Sequence, residues 1–132
     1  MKRLIVIFLA GLFIGSPAFG WGREGHETIA KIADNNLQAS ARKTIEKYLG
    51  DRSIVYYAKW MDEYRHTPEY AFTTKWRVAR VDKDLKYSPY PEAGDAISGI
   101  AQAVEILKDY KNLPDSTVAV NIKYLLHLVG DM

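Results

Sequence analysis

The sequence predicts a single, mainly α-helical domain with little or no sheet, and two observations carry that expectation. Apolar residues recur at three- and four-residue spacing through five separate segments, the signature of helices with one buried stripe. Helix-ending residues stand between those segments, and only one stretch alternates in the manner of a strand.

The elements follow in order. Ile29, Ala30, Ile32, Ala33 and Leu37 predict a first helix over 27–37, starting just after His26. Ser40 is the expected N-cap of a second helix over 41–49, with Ile45, Tyr48 and Leu49 facing inward and Gly50 at C′. A third helix is predicted from Ile54 to about Arg65, carrying Tyr57, Trp60, Met61 and Tyr64. Thr67-Pro68 ends it, because the residue before a proline is pushed out of helical geometry. Residues 70–81 alternate aromatic, β-branched and polar side chains and read as extended, whereas 87–94 holds two prolines and reads as a loop. A fourth helix fits 95–111, burying Ile97, Ile100, Val104, Ile106 and Leu107. The last starts near Ser116 or Thr117 and runs through Val120, Ile122, Leu125, Leu126 and Val129. Its apolar pattern is still in phase at Met132, so the sequence reads as the N-terminal portion of a longer domain.

Residues 1–20 have the layout of a secretory signal. Lys2 and Arg3 form the charged start, 4–14 the apolar centre, and Ala18 and Gly20 are the small residues at −3 and −1 of a cut before Trp21. That segment is too short to span a bilayer, so an exported protein, periplasmic or extracellular, with no stable membrane association is expected. The 112 residues from 21 to 132 suit one small domain with one core. Lys2 and Arg3 account for the whole net charge of +2, since the other 16 basic residues match 16 acidic ones. A near-neutral chain does not gather phosphates by a general basic excess, so phosphate binding would need metal ions or a local patch. Cysteine is absent, which excludes disulfides and a lipoprotein anchor and leaves packing, or bound metal, to hold the fold.

Four groups stand out as candidate metal ligands. A cut before Trp21 would free an α-amine beside that residue's own carbonyl, a chelating pair, with His26 close behind. His127 and Asp131 are four residues apart on a helix and share a face. A lone histidine on an apolar face is usually a hydrogen-bonded core residue, but a carboxylate one turn away favours a shared cation, because buried Asp without one is rare. The pair suits a hard or borderline ion such as zinc. Asp62, between large apolar side chains, reads alone as part of a solvated helix face. His66 reads as a ligand, a partner to a ligand, or a helix-terminal histidine complementing the dipole, the last being preferred. Trp60 and Trp76 read as core residues rather than base-stacking platforms.

Taken in order, Trp21-Gly22 with Gly25-His26, then Trp60-Met61-Asp62, then His127-Leu128-Val129-Gly130-Asp131 resemble the secreted S1/P1 single-strand-specific nucleases, distant relatives of bacterial zinc phospholipases C. The resemblance covers essentially all of 21–132. It implies a helical fold of the trinuclear-zinc type and hydrolysis of phosphodiesters in single-stranded DNA and RNA, with 3′-nucleotidase activity on nucleotides. It also implies that Trp21 and His26 bind one zinc, that Asp62 and His127 bind another, and that Asp131 bridges them. Close cations of this kind activate a shared water and neutralise the leaving oxygen. No residue is assigned as catalytic acid or base. Two departures from the family stand out. Where the family has a second histidine for the Asp62 zinc, just after a tryptophan, this chain has Arg77 after Trp76. Arginine has no lone pair to give and repels a neighbouring cation. The later His-Gln-Pro-Leu-His type motif is missing, and three histidines cannot complete three zinc sites. Fewer zinc ions are therefore expected here, and the alternative reading is a catalytically inactive fragment keeping at most a partial metal site.

Overall fold

The computed structural model describes residues 22–89 and 92–132. Trp21 and the proposed signal, 1–20, lie outside the described residues. Among the described residues six α-helices follow one another: α1 (Arg23–Asn36), α2 (Ala39–Leu49), α3 (Ile54–Tyr57), α4 (Trp60–Tyr64), α5 (Ala96–Leu107) and α6 (Asp115–Asp131). Two 3₁₀ helices, Ala71–Arg77 and Tyr110–Asn112, complete the regular structure, and the described residues contain no strand beyond an isolated antiparallel bridge between Val81 and Tyr87. The expected mainly α fold is what is found. Among the described residues no helix is long and apolar enough to cross a membrane.

Helix α6 is the element on which the others assemble: α5 packs along it most extensively, and α1, α2, α3, α4 and the first 3₁₀ helix all touch it. The core around it contains Trp60, Met61, Ala96, Ala103, Tyr124 and Leu128, with Tyr57, Tyr70, Trp76 and Ile100 packed at its margin. Trp60 stacks on Tyr64 at a ring-centroid distance of 4.9 Å and meets Tyr70 edge-on at 4.7 Å, which places it in the core as its sequence setting suggests. Trp76 is likewise wedged edge-on against Tyr124 and Phe72.

Several boundaries differ from the sequence expectation, each for a physical reason. Helix α1 begins four residues early, because the extended Gly22 offers its carbonyl to the N–H groups of Gly25 and His26; His26 therefore lies inside the first turn rather than before it. Gln38, not Ser40, precedes α2, and Ser40 is taken into the helix. The single helix expected over 54–65 is two, broken at Ala58 and Lys59. The N–H of Asp62 bonds to Lys59 O at 3.0 Å, leaving the Ala58 carbonyl to another partner.

Residues 71–77, expected to be extended, form a 3₁₀ helix. The inward residues Tyr70, Thr73 and Trp76 recur every three positions, the period of that helix, and over so short a run a period of three passes for alternation. Helix α5 ends at Leu107, before the expected Lys111, and buries Ala96, Gly99 and Ala103 while Val104 faces outward. Small residues on the inner face let α5 approach closely: a Cβ on Gly99 would lie 2.9 Å from atoms of both Leu128 and Trp76. Helix α6 starts at Asp115, just after Pro114 and a residue or two before the expected start.

An apolar groove remains between α1, α2 and α6, with Ile29, Ala33, Leu37, Ile45, Leu126 and Val129 among its walls. Ile32 and Val129 are more than half exposed. The chain thus displays apolar surface of the kind that lowers solubility.

The N-terminus of α5 carries the best-defined cap. Asp95 accepts from Ser98 N, Ser98 Oγ accepts from Asp95 N, and the Tyr87 hydroxyl donates to the same buried carboxylate, at 2.8 Å to its nearer oxygen. Replacing Asp95 with Ala is expected to destabilise the protein by about 1–2 kcal/mol, the usual cost of losing a helix cap. Urea unfolding followed by circular dichroism measures it; a loss within error would show that the cap is redundant.

Candidate metal centre

The candidate site forms where α1, α4, α6 and the end of the first 3₁₀ helix converge. His26, in the first turn of α1, and His127, in the last turns of α6, are fully buried and stack face to face, with ring centroids 4.2 Å apart and planes 15° from parallel. Asp62, from the first turn of α4, joins them: one ligand-capable atom from each of His26, Asp62 and His127 lies within 4.8 Å of the other two. Asp131 follows His127 by one helical turn and reaches the edge of both rings, with Oδ1 3.4 Å from His26 Nε2 and Oδ2 3.4 Å from His127 Nε2. The shared helix face expected of His127 and Asp131 is therefore real.

His127 is oriented by the broken α3–α4 junction. Its Nδ1 lies 2.8 Å from the Ala58 carbonyl oxygen left free by that break. A carbonyl can only accept, so Nδ1 carries the proton and Nε2 turns a lone pair into the site. Burial holds the His127 pKa below the ordinary 6.5, against the opposing pull of the Ala58 bond and of Asp131.

Gly130 makes room for His26. A Cβ at this position would sit 2.6 Å from His26 Nδ1, closer than side-chain atoms tolerate, so only glycine lets the imidazole lie against α6. Sequence reasoning passed over Gly130 and Ala58. A glycine inside an apolar helical run is a usable signal of close approach; nothing marks Ala58, whose role belongs to its backbone.

Arg77 enters the same space. Its guanidinium forms an ion pair with Asp62, donates from Nη2 to His127 Nε2 at 3.0 Å, and brings Nε to 3.8 Å from Asp131 Oδ2. His66, read from sequence as a ligand, a partner to a ligand or, by preference, a helix-terminal histidine, is exposed just past the end of α4, accepts from Arg65 Nε at 3.1 Å and stands outside the cluster.

These contacts divide the site into two parts. Both ring nitrogens of His26 and Oδ2 of Asp131 are buried without a hydrogen-bond partner, a costly state for polar atoms that a cation taking imidazole nitrogen and carboxylate oxygen would relieve. The His26–Asp131 side therefore fits a zinc-like ion. On the other side, Asp62 Oδ1 and His127 Nε2 already meet the Arg77 guanidinium.

The fold and site define a helical protein with a histidine–carboxylate cluster buried where its helices converge. The sequence from residue 21 to 132 matches the S1/P1 Nuclease family, and the chain belongs to that family. Among curated proteins it is 30% identical over 144 residues to Nuclease S1 of Aspergillus oryzae (strain ATCC 42149 / RIB 40), in a match covering 100% of this chain and 49% of that protein. It is 29% identical over 126 residues to Nuclease P1 of Penicillium citrinum, covering 85% of this chain and 45% of the relative. The chain thus spans about half the length of these relatives.

Two outcomes follow from the geometry. Gly130→Ala is expected to push His26 out of its stack and cost about 1–3 kcal/mol, the range for an overfilled core. Thermal melting reads the loss, and an unchanged histidine ring spectrum in the variant would refute the displacement. Because the folded-state pKa of His127 is depressed, the unfolded chain takes the proton first. The stability tied to neutral His127 is full above about pH 6.5 and falls as the pH drops through the lower folded value. An NMR titration of the His127 ring with its midpoint above 6.5 would contradict this.

Proposed function

We propose that this chain supplies metal-binding elements of a zinc-dependent nuclease that hydrolyses phosphodiester bonds in single-stranded DNA or RNA and removes 3′-phosphate from nucleotides. One observation carries the reading: two buried imidazoles and two carboxylates meet with buried His26 and Asp131 atoms left without hydrogen-bond partners, in a chain of the S1/P1 nuclease family. His26 and Asp131 would hold zinc, joined by the α-amine and carbonyl of Trp21 once a leader is removed. His127 and Asp62 are the further donors in reach. A bound zinc would supply Lewis acidity toward a phosphoryl oxygen. The chain's own part is to hold these groups: Ala58 sets the tautomer and direction of His127, Gly130 seats His26, and burial keeps bulk water from the rings. Single-stranded nucleic acid is the substrate this reading implies, and export to the periplasm or the medium fits the leader-like segment at residues 1–20.

A second reading, a catalytically inactive portion with a partial metal site, has its own support. The Arg77 guanidinium takes up the donors of Asp62 and His127.

Zinc content by atomic emission tests the proposal on two samples, the chain starting at Trp21 and the same chain with one extra residue before it. Zinc that is tightly held in the first and reduced in the second, together with cleavage of a single-stranded oligonucleotide, is the expected result. Zinc without cleavage would favour the second reading, and no zinc in either sample would reject the metal centre.

A further inference from the structure

We propose that Arg77 is a built-in cation that takes the place of a metal ion between Asp62 and His127, so that this chain accepts one divalent cation, on the His26–Asp131 side, and not a close pair. The inference rests on the metal reading of the site given above and concerns how many ions that site admits.

Three observations carry it. The first is saturation. Asp62 Oδ1 is ion-paired with Arg77 and also lies 3.8 Å from Arg65 Nη1, so this carboxylate already faces two guanidinium groups. His127 Nε2, whose lone pair the Ala58 bond directs into the site, lies 3.0 Å from Arg77 Nη2. Both donors that a metal on this side would need are thereby engaged with a group that has no lone pair and does not lose its charge.

The second is anchorage. Arg77 is the last residue of the 3₁₀ helix and follows Trp76 directly. The indole is held by Tyr124 and Phe72, and it lies so close to two glycines that a Cβ on Gly94 would come within 2.8 Å of its Nε1 and one on Gly99 within 2.9 Å of its Cε3. The guanidinium thus springs from a fixed point, and its side chain is only 16% exposed, unlike a surface arginine free to swing away.

The third is the contrast across the site. Among the described residues, the buried side-chain atoms without a hydrogen-bond partner are the two nitrogens of His26, Asp131 Oδ2 and Arg77 Nε, whereas Asp62 and His127 are not among them. The unmet acceptor capacity therefore belongs to His26, whose Nε2 lies 3.4 Å from Asp131 Oδ1, and to Asp131 Oδ2, and not to Asp62 or His127. A single divalent ion there would sit beside a permanent positive charge, and a second would have to displace that charge.

Zinc taken up per chain is the direct test, measured by titration calorimetry and by atomic emission after gel filtration. It compares the full chain with Arg77→His, Arg77→Ala and Arg77→Lys, with circular dichroism on each to show that it is folded. The full chain and Arg77→Lys, which keeps a cation, are expected to take no more than one zinc. Arg77→His, which supplies a lone pair, is expected to take one more. Arg77→Ala removes the repulsion alone and is expected to bind zinc more tightly by roughly 10–100-fold, the range seen when groups around a metal site are altered. Cobalt(II) absorption gives a second readout that does not depend on catalysis. Two zinc ions in the unaltered chain, or equal uptake by the unaltered chain and Arg77→His when both are folded, would overturn the role of Arg77 while leaving the metal reading intact. Absence of zinc from every folded variant would overturn the metal reading itself.

Discussion

Two imidazoles buried face to face between the start of α1 and the end of α6 set the terms for the rest of this structure. Imidazole nitrogens taken out of water need partners, and the chain provides them unevenly. His127 receives a backbone carbonyl at Nδ1 and a guanidinium at Nε2, whereas His26 receives no hydrogen bond at either nitrogen. Around this pair the fold makes three local concessions. The helix over 54–65 is interrupted so that Ala58 O is free, α6 carries a glycine where it meets His26, and α1 starts early enough to hold His26 in its first turn. The first two weaken regular helix and the third extends it, and each serves the placement of a polar group, the pattern expected where a site is built into a core.

The aromatic cluster supplies the rigidity on which that placement depends. Trp60 directly precedes Met61 and Asp62, and Trp76 directly precedes Arg77, so the two indoles that fill the core also fix the two side chains that form the ion pair. Tyr124, on α6 one turn before His127 and Leu128, meets both indoles. Packing and site are therefore one construction: the residues that exclude water from the core are chain neighbours of the residues that face the candidate centre.

Family membership and local chemistry meet at Arg77. A match over residues 21–132 places the chain among S1/P1 nucleases, and Arg77 brings a fixed positive charge to the cluster of histidines and carboxylates. The guanidinium meets Asp62 and His127 directly and lies 3.8 Å from Asp131 Oδ2. A carboxylate and an imidazole that would otherwise need a common cation share one supplied by the chain itself.

How much of this was legible beforehand depends on the range of the interactions involved. The helical fold could be read from apolar spacing, because one face of each helix must meet the core, and the closeness of His127 to Asp131 follows from helical geometry alone. Membership of Trp60 and Trp76 in the core follows from size and hydrophobicity. Less could be read where two local patterns compete over a short run. Residues 71–77 were indistinguishable from a strand until tertiary contacts selected the three-residue period, and the break at Ala58 depended on a partner 69 residues away. The sequence alone determined which groups were available, two histidines, two carboxylates and an arginine directly after Trp76. Only the tertiary structure decided that the guanidinium would turn inward to Asp62 and His127 rather than outward to water, because that choice turns on whether a rigid indole beside it holds the side chain within reach of buried acceptors.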